Sequence, residues 1–377
     1  MVKPKVIFVV GTRPDAIKSA PAVREFLRFP ELVETILVST GQHREMLAQA
    51  LAAFDLTADF DLNIMQAGQS LAQVTTRALE GLDKVFAGVQ PQWVFAQGDT
   101  TTTFVAGLAS FYRQIPFGHI EAGLRTDSIW NPFPEEFNRR AVGLFAAQHY
   151  APTSVSAQNL LNEGISEDSV FVTGNTGIDA VMEIAKKSTT NWYPEETRRL
   201  ILLTTHRREN WGEPMADIAS AARELLDQFP DTFLVAAMHR NPVVRETLTS
   251  ILGNHERAHL IEPPDYQDFV KLMARSYLIL TDSGGVQEEA PSFGIPVLVL
   301  RTTTERPEGV DAGVAKLVGT DRNVVFAEAS KLLADEKAYN LMAQSASPYG
   351  DGQAAQRIRF LALKALGVAS PQPTSWT

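Results

Sequence analysis

The chain has 377 residues, 45% of them hydrophobic, enough for about two domains of roughly 150 residues each. A net charge of −10 argues against general nucleic-acid binding, although it leaves room for a local basic pocket that holds a small anion. Cysteine is absent, which excludes disulfides, thiol nucleophiles, thiolate metal sites and the two-cysteine route of some racemases.

At the N-terminus, Lys3-Pro4-Lys5 precedes the apolar run Val6-Ile-Phe-Val-Val10, an order shared with signal peptides. The run is short and meets Gly11-Thr-Arg-Pro14, so it reads as a first buried strand. No segment reaches the ~18 apolar residues of a membrane span, and a soluble cytoplasmic protein is expected. Further strands are expected at 35–39, 93–97, 117–120 and 170–173, with helices at 16–28, 71–87 and 134–146. Apolar runs separated by helices imply a parallel, doubly wound sheet. The pattern restarts after the polar segment Lys186-Lys-Ser-Thr-Thr-Asn-Trp-Tyr-Pro-Glu-Glu196, with strands expected at 200–204, 232–237, 259–261, 278–281 and 297–300. The fold class is therefore α/β, with two Rossmann-like domains facing a cleft. Residues 1–174 would form the first, with a C-terminal helix 354–367 packing back on it, and residues 175–353 the second.

Several segments carry candidate chemistry. Gly11-Thr-Arg13-Pro-Asp-Ala-Ile-Lys18 joins a glycine turn to a helix start and adds two cations, which suits an anionic group. It reads equally as an ordinary βα turn. Two strands then end in acids, Trp93-Val-Phe-Ala-Gln-Gly-Asp99 and Phe117-Gly-His-Ile-Glu121, and a proline-broken loop delivers Glu135 and Glu136 at a helix start. Open α/β sheets place their chemistry at strand carboxyl ends, and several acids gathered there suggest proton transfer. Taken singly, each acid also reads as a cap or as a partner of Arg125, Arg139 or Arg140. In Thr205-His206-Arg207-Arg208-Glu209-Asn210, a histidine beside a strand end suits support of a departing phosphate, or a structural loop salt bridge. Thr281-Asp-Ser283-Gly284-Gly285-Val-Gln-Glu288-Glu289 suits a nucleotide diphosphate, with Glu289 placed to accept from ribose hydroxyls; simple capping is the other reading. Arg301-Thr-Thr-Thr-Glu305-Arg306-Pro-Glu308 reads alone as a solvated loop.

Together these motifs resemble the non-hydrolysing UDP-N-acetylglucosamine 2-epimerases. The resemblance covers nearly the whole chain. It rests on Gly11-Thr-Arg-Pro14, Gly41-Gln-His-Arg-Glu-Met-Leu47, Gly98-Asp-Thr-Thr-Thr-Thr103, His119-Ile-Glu-Ala-Gly-Leu-Arg125, Pro134-Glu-Glu136, Thr173-Gly-Asn-Thr176, His206-Arg-Arg-Glu209, Asp282-Ser-Gly-Gly285 and Thr304-Glu-Arg-Pro-Glu308. It implies a glycosyltransferase-B-like fold with UDP in the interdomain cleft, no cofactor or metal, and interconversion of UDP-GlcNAc and UDP-ManNAc. Carried over by motif, Arg13, Lys18, Asp99, Glu121, Glu135 and His206 form the active-site set, with Asp99, Glu121, Glu135 and His206 as the catalytic groups. Phe269, Ser283, Gly284, Gly285, Glu289 and Arg306 hold the nucleotide. The family also implies a homodimer and, in many bacterial members, a second UDP-GlcNAc as activator, for which Gln42, His43, Arg207 and His239 are the matching positions.

Some positions depart from the family pattern. Asp15 and Ser19 stand where Glu and Met are common, and Thr302 where Asp often follows Arg301. Gly68 stands where some activated members carry an arginine, and Pro264 where a polar residue able to touch uracil is often found. Asp127-Ser-Ile-Trp-Asn131 differs from the usual loop near the sugar, a change that bears on sugar specificity.

The chemistry implied by the resemblance explains the need for several acids. The C2 proton of the sugar is not next to a carbonyl, but it becomes acidic as the C1–O bond to UDP stretches. Anti elimination then gives a glycal. Re-addition with protonation from the other face needs donors on both faces, and one acid with a raised pKa. His206, Arg13 and the Ser283–Gly285 turn would stabilise the leaving diphosphate. A hydrolysing relative that releases ManNAc, a glycosyltransferase of the same fold and a non-catalytic nucleotide-sugar sensor are the rival readings.

Overall fold

A computed structural model describes residues 3–41, 44–66 and 68–376, with the backbone alone for Arg44 and Glu45. The chain forms two compact units. One runs to Ala180 and resumes at Tyr349; the other is Val181–Pro348.

The first unit is built on a parallel sheet of β1 (Lys5–Val10), β2 (Glu34–Ser39), β3 (Phe60–Asp61), β4 (Trp93–Gln97), β5 (Phe117–Ile120), β6 (Gln148–Ala151) and β7 (Val170–Val172). Their spatial order is β3-β2-β1-β4-β5-β6-β7. Central strands such as β1 are covered on both faces, which is why they read as unbroken apolar runs rather than alternating ones. Phe8 and Phe95 stack across β1 and β4 with ring centroids 4.5 Å apart, and Phe26 from the first helix closes edge-on against both. That helix, Arg13–Leu27, starts three residues before the expected position. Thr12 caps it through a reciprocal box with Asp15, and proline is tolerated in the first turn.

The C-terminal helix Ala354–Ala365 lies in the same unit. Arg359 reaches the buried Glu25 of the first helix at 2.9 Å. The amides of Ala354 and Ala355 donate to the Asp179 carboxylate at 3.2 and 2.9 Å. Burial pushes that carboxyl up to about 7, against the pull of these two amides.

The second unit carries β8 (Arg199–Thr204), β9 (Thr232–Ala237), β10 (Ala258–Ile261), β11 (Leu278–Thr281), β12 (Val297–Val299) and β13 (Ala315–Leu317), in the order β10-β9-β8-β11-β12-β13. All its pairings are parallel. A core of Leu203, Ile218, Leu225, Leu234 and Leu280 lies between this sheet and its helices. Both units are thus Rossmann-like, as the sequence pattern indicated.

Three strands were not foreseen. β3 and β13 are edge strands of two and three residues, too short to show a period. β6 reads Gln-His-Tyr-Ala, polar in composition, yet His149 and Tyr150 are buried by their neighbours in the sheet. Among the described residues no helix is long and apolar enough to cross a membrane.

Candidate active site

In each sheet the chain reverses direction of winding beside the first strand of the unit, between β1 and β4 and again between β8 and β11. Ligands of doubly wound sheets lie outside the carboxyl ends of the strands at such switch points. The first of these points is flanked by the Gly11 turn and the Gly98-Asp99 turn, and the second by Thr205-His206 and Asp282-Ser283.

In the first unit, Gly11 has no room for a side chain, since a Cβ there would land on Thr102 and within 2.9 Å of Thr40 Oγ1. The turn's amides are less available than the sequence suggests. Thr12 N–H donates to Asp15, the Asp15 amide faces Thr12 Oγ1, and Pro14 has none. Arg13 is half-buried and makes no hydrogen bond or ion pair among the described residues. Lys18 pairs with Glu121.

Glu121 follows β5 with a left-handed backbone, φ 63°. One of its carboxylate oxygens takes the Lys18 ammonium and the other the amide of Gln97, which ends β4. A Cβ on Gly98 would sit 3.4 Å from Glu121 Oε2, so the Asp99 turn and the Glu121 carboxylate are immediate neighbours. Arg139 grips the Asp99 carboxylate. Glu135 opens the helix Glu135–Gly143, is half-buried, and has no side-chain partner among the described residues. Glu136 is fully buried and taken up by Arg139, by Arg140 at 2.6 Å and by the Thr126 amide at 3.2 Å. The pairing expected for the acids is thus divided: Asp99 and Glu136 meet arginines, whereas Arg125 turns away to Glu163 at 2.6 Å. Near these groups, the carboxyl that burial raises, to about 6, is Asp15, which also accepts from Thr100 Oγ1 at 3.1 Å.

The second unit uses its strand-end acid differently. Asp282 is fully buried and accepts from Thr205 Oγ1, His206 N, Arg207 N and Asn210 Nδ2, all within 3.0 Å. Burial opposes its ionisation. The hydrogen bonds from His206 and from the Arg207 amide outweigh that and hold its carboxyl below the usual range. His206 Nδ1 faces Asp282 at 3.2 Å, which leaves Nε2 on the half-open side of the ring. His206 stacks on His239 with centroids 5.7 Å apart, and the Asn241 amide donates to His239 Nδ1 at 3.2 Å.

A cavity of about 230 Å3 opens there. Its walls are Thr205, His206, His239, Pro263, Pro264, Phe269 and Ser283 among others. Ser283 stands at the N-cap position of the helix Gly284–Glu289 but makes no side-chain cap bond, so capping does not use its hydroxyl. A Cβ on Gly284 would lie 3.8 Å from the Arg306 guanidinium, which pairs with Glu288 and Glu305. Glu289 accepts from Tyr266 Oη at 3.1 Å. The Arg301 loop is more than a solvated segment, since Arg301 is buried and meets Glu209 at 2.7 Å.

Within the first unit the structure brings together Lys18, Asp99 and Glu121. Within the second it brings together His206, His239, Phe269 and Ser283, with Gly284 and Arg306 beside each other. The Arg207 amide joins the Asp282 cluster, while the Arg207 Nε is buried without a partner among the described residues. Gln42 and His43 lie outside the described residues. Sequence reasoning gave no role to Gln97 or Asp15, named Arg139 only as one of three arginines that could pair with the acids, and left Asp282 within a motif open to capping. A glutamine closing an apolar strand was a local signal for Gln97, and the Thr12-to-Asp15 spacing one for the helix cap; the acid that Arg139 meets and the donors that Asp282 gathers are distant in sequence.

The comparisons with known proteins agree with one another. The sequence model of UDP-N-acetylglucosamine 2-epimerase matches residues 27–361. The chain is 50% identical to a UDP-N-acetylglucosamine 2-epimerase of Bacillus subtilis, over 100% of both chains. A solved UDP-N-acetylglucosamine 2-epimerase superposes with a TM-score of 0.93 at 48% identity, covering 100% of both chains. A UDP-GlcNAc 2-epimerase of Neisseria meningitidis, solved with UDP-GlcNAc bound, superposes at 0.82 with 45% identity over 96% of this chain and 100% of that one. With two Rossmann-like units and this match along nearly its whole length, the chain belongs to the UDP-N-acetylglucosamine 2-epimerase family.

Proposed function

We propose that the protein interconverts UDP-GlcNAc and UDP-ManNAc without hydrolysis and without a cofactor. The Neisseria relative binds UDP-GlcNAc, and the catalytic, nucleotide-binding and activator residues named from the motifs are part of the same proposal. In the forward direction the C1–O bond breaks and its electron pair leaves on the β-phosphate of UDP. The C2–H pair becomes the C1=C2 bond of a 2-acetamidoglucal, and the proton passes to a carboxylate. Return of UDP to C1, with a proton delivered to the opposite face of C2, gives the epimer.

The observation that carries this reading is the contact between the Asp99 turn and Glu121 at adjacent strand ends, with Glu135 uncommitted on the helix that follows. Two carboxyl groups held by different cations, and a third with no side-chain partner among the described residues, offer several proton donors and acceptors close to the strand ends. Arg13 and Lys18 would favour the growing negative charge, and His206, Ser283, Gly284, Gly285 and Arg306 would hold the diphosphate. Phe269 and the paired prolines 263 and 264 give the base an apolar wall. Glu289 would meet the ribose.

Proton NMR of UDP-GlcNAc incubated with the protein tests the reaction. A mixture of UDP-GlcNAc and UDP-ManNAc that stops changing is expected. Accumulation of free ManNAc and UDP would instead make this a hydrolysing enzyme.

Two finer parts belong to the proposal. A second copy of the chain would cover the exposed apolar side chains Phe111, Tyr112 and Leu144, and sedimentation at micromolar concentration should give a dimer. A second UDP-GlcNAc would activate through Gln42, His43, Arg207 and His239. Gly68 stands where some activated members carry an arginine, and a Cβ there would meet nothing within 4 Å. Turnover of UDP-ManNAc alone should then show a lag that a trace of UDP-GlcNAc removes; hyperbolic kinetics without a lag would count against activation.

A further inference from the structure

We propose that His119 is a positioning residue that acts through Asp99, its ring fixing the Gly98 carbonyl and so the turn that carries the Asp99 carboxylate to Arg139 beside Glu121. The proposal deepens the acid–base reading above and rests on it.

His119 lies on β5, fully buried, beside Ala96 of β4 and His149 of β6. Its Nε2 is 2.8 Å from the Gly98 carbonyl oxygen. A carbonyl can only accept, so Nε2 carries the proton and Nδ1 a lone pair. That Nδ1 is buried with no partner among the described residues. An unsatisfied buried nitrogen costs free energy, and a phenyl ring of similar size would avoid the cost. A histidine here makes physical sense if the Nε2–H bond to Gly98 is what the site requires. The ring does not serve as a proton carrier. Burial, with His149, Arg125 and Arg139 as the charged or titratable neighbours, pushes it down to about 3 against the pull of the Gly98 carbonyl, so it stays neutral at working pH.

The carbonyl it holds is the middle one of three. Gln97, Gly98 and Asp99 each present a carbonyl to a side-chain donor: Thr103 Oγ1 at 2.6 Å, His119 Nε2 at 2.8 Å and Asn138 Nδ2 at 2.8 Å. Gly98 has φ 79°, a region in which glycine is free and other residues are strained. Without the imidazole, the Gly98–Asp99 peptide plane would be held on its flanks alone. Rotation there swings the Asp99 side chain while Arg139 and Glu121 stay in place. A shift of about 1 Å in a catalytic group costs about 10²-fold in rate.

The test uses the full chain with UDP-GlcNAc and two variants. His119→Phe fills the volume without a donor, and His119→Gln returns an amide N–H at the reach of Nε2. We expect kcat of His119→Phe to fall about 10²-fold while KM and UDP affinity stay within about threefold, since the loss lies in the transition state. His119→Gln should recover to within about fivefold of wild type with both limbs of the pH–rate profile unchanged. A kcat for His119→Phe within about twofold of wild type, or a pH limb that vanishes in His119→Gln, would overturn the proposal.

Should His119→Phe fail to fold, 15N NMR of the wild-type ring decides. The neutral Nε2–H tautomer is expected from about pH 5 to 8, and a cation or an Nδ1–H tautomer in that range contradicts it. If wild type itself neither epimerises the sugar nor exchanges its C2 proton, the epimerase reading fails, and the NMR result still judges the ring.

Discussion

The two units present the same topological place in different chemical dress. In both, the switch point of the sheet brings a strand-end acid next to a glycine turn. In the first unit Asp99 and Glu121 each keep a cation beside the carboxylate, and Glu135 on the helix that follows has no side-chain partner among the described residues. In the second, Asp282 is buried and spent on four donors that shape the Thr205–Asn210 turn, which turns the imidazole of His206 and the hydroxyl of Ser283 outward. A Rossmann-like sheet therefore fixes where chemistry happens but not its kind. That depends on whether the carboxylate is left to exchange protons or is committed to holding donors in place.

The largest effect should come from removing proton exchange. Asp99→Asn, Glu121→Gln and Glu135→Gln should each lower kcat by about 10² to 10⁴-fold, while UDP binding measured by calorimetry is retained. If all three kept near-wild-type rates, the first unit's acids would be structural and the contrast with Asp282 would disappear.

The mirror experiment is Asp282→Ala. Loss of the organising carboxylate should weaken UDP binding by about 10 to 100-fold and lower the melting temperature, because buried amides are left unpaired. Unchanged UDP affinity would mean that the turn does not serve the nucleotide.

The pH dependence of stability should also distinguish the units, with opposite sign. The Asp282 value lies below its unfolded value near 3.9, so its contribution is complete above that value and is lost as the pH falls through the folded one. Asp15 and Asp179 are raised, to about 6 and about 7; their contributions are complete below the unfolded value and are lost as the pH rises through the folded one. Hydrogen exchange should therefore show the first unit losing protection between about pH 4 and 7, by an amount of order a few kcal/mol, and Asp179→Asn should flatten that slope. A slope identical in the variant would remove Asp179 as its source.

The smallest effect belongs to Ser283→Ala. The hydroxyl makes no cap bond, so stability should not change, and UDP affinity should drop by about 3 to 10-fold. A loss of stability with unchanged affinity would return Ser283 to a capping role.

Much of the fold was legible because its strands are buried on both faces. Trp93–Gln97, Phe117–Ile120, Thr232–Ala237 and Leu278–Thr281 can each be read from the apolar run alone. β6 escaped because burial of Gln-His-Tyr-Ala is imposed by its neighbours rather than by its composition. The acids at the strand ends were legible for the same reason as the strands: each follows an apolar run directly. Which cation each acid meets was not legible: Arg139, one of three arginines open to any of them, meets Asp99 across 40 residues of chain, and Lys18 meets Glu121 across 103. Asp282 was quoted within a motif but read for its serine and glycines, since nothing local shows that its donors come from the end of β8. His119 was likewise visible in the sequence and silent there, because its hydrogen-bond partner is a carbonyl in the turn that follows the neighbouring strand.

The central claim is that carboxyl groups of the first unit take and return the proton at C2. Incubation of UDP-GlcNAc with the protein in D2O, followed by mass spectrometry and proton NMR, tests it most directly. Deuterium should enter at C2 of both UDP-GlcNAc and UDP-ManNAc. A protein that forms UDP-ManNAc with no deuterium at C2, or that leaves UDP-GlcNAc unexchanged and unconverted, would contradict the account.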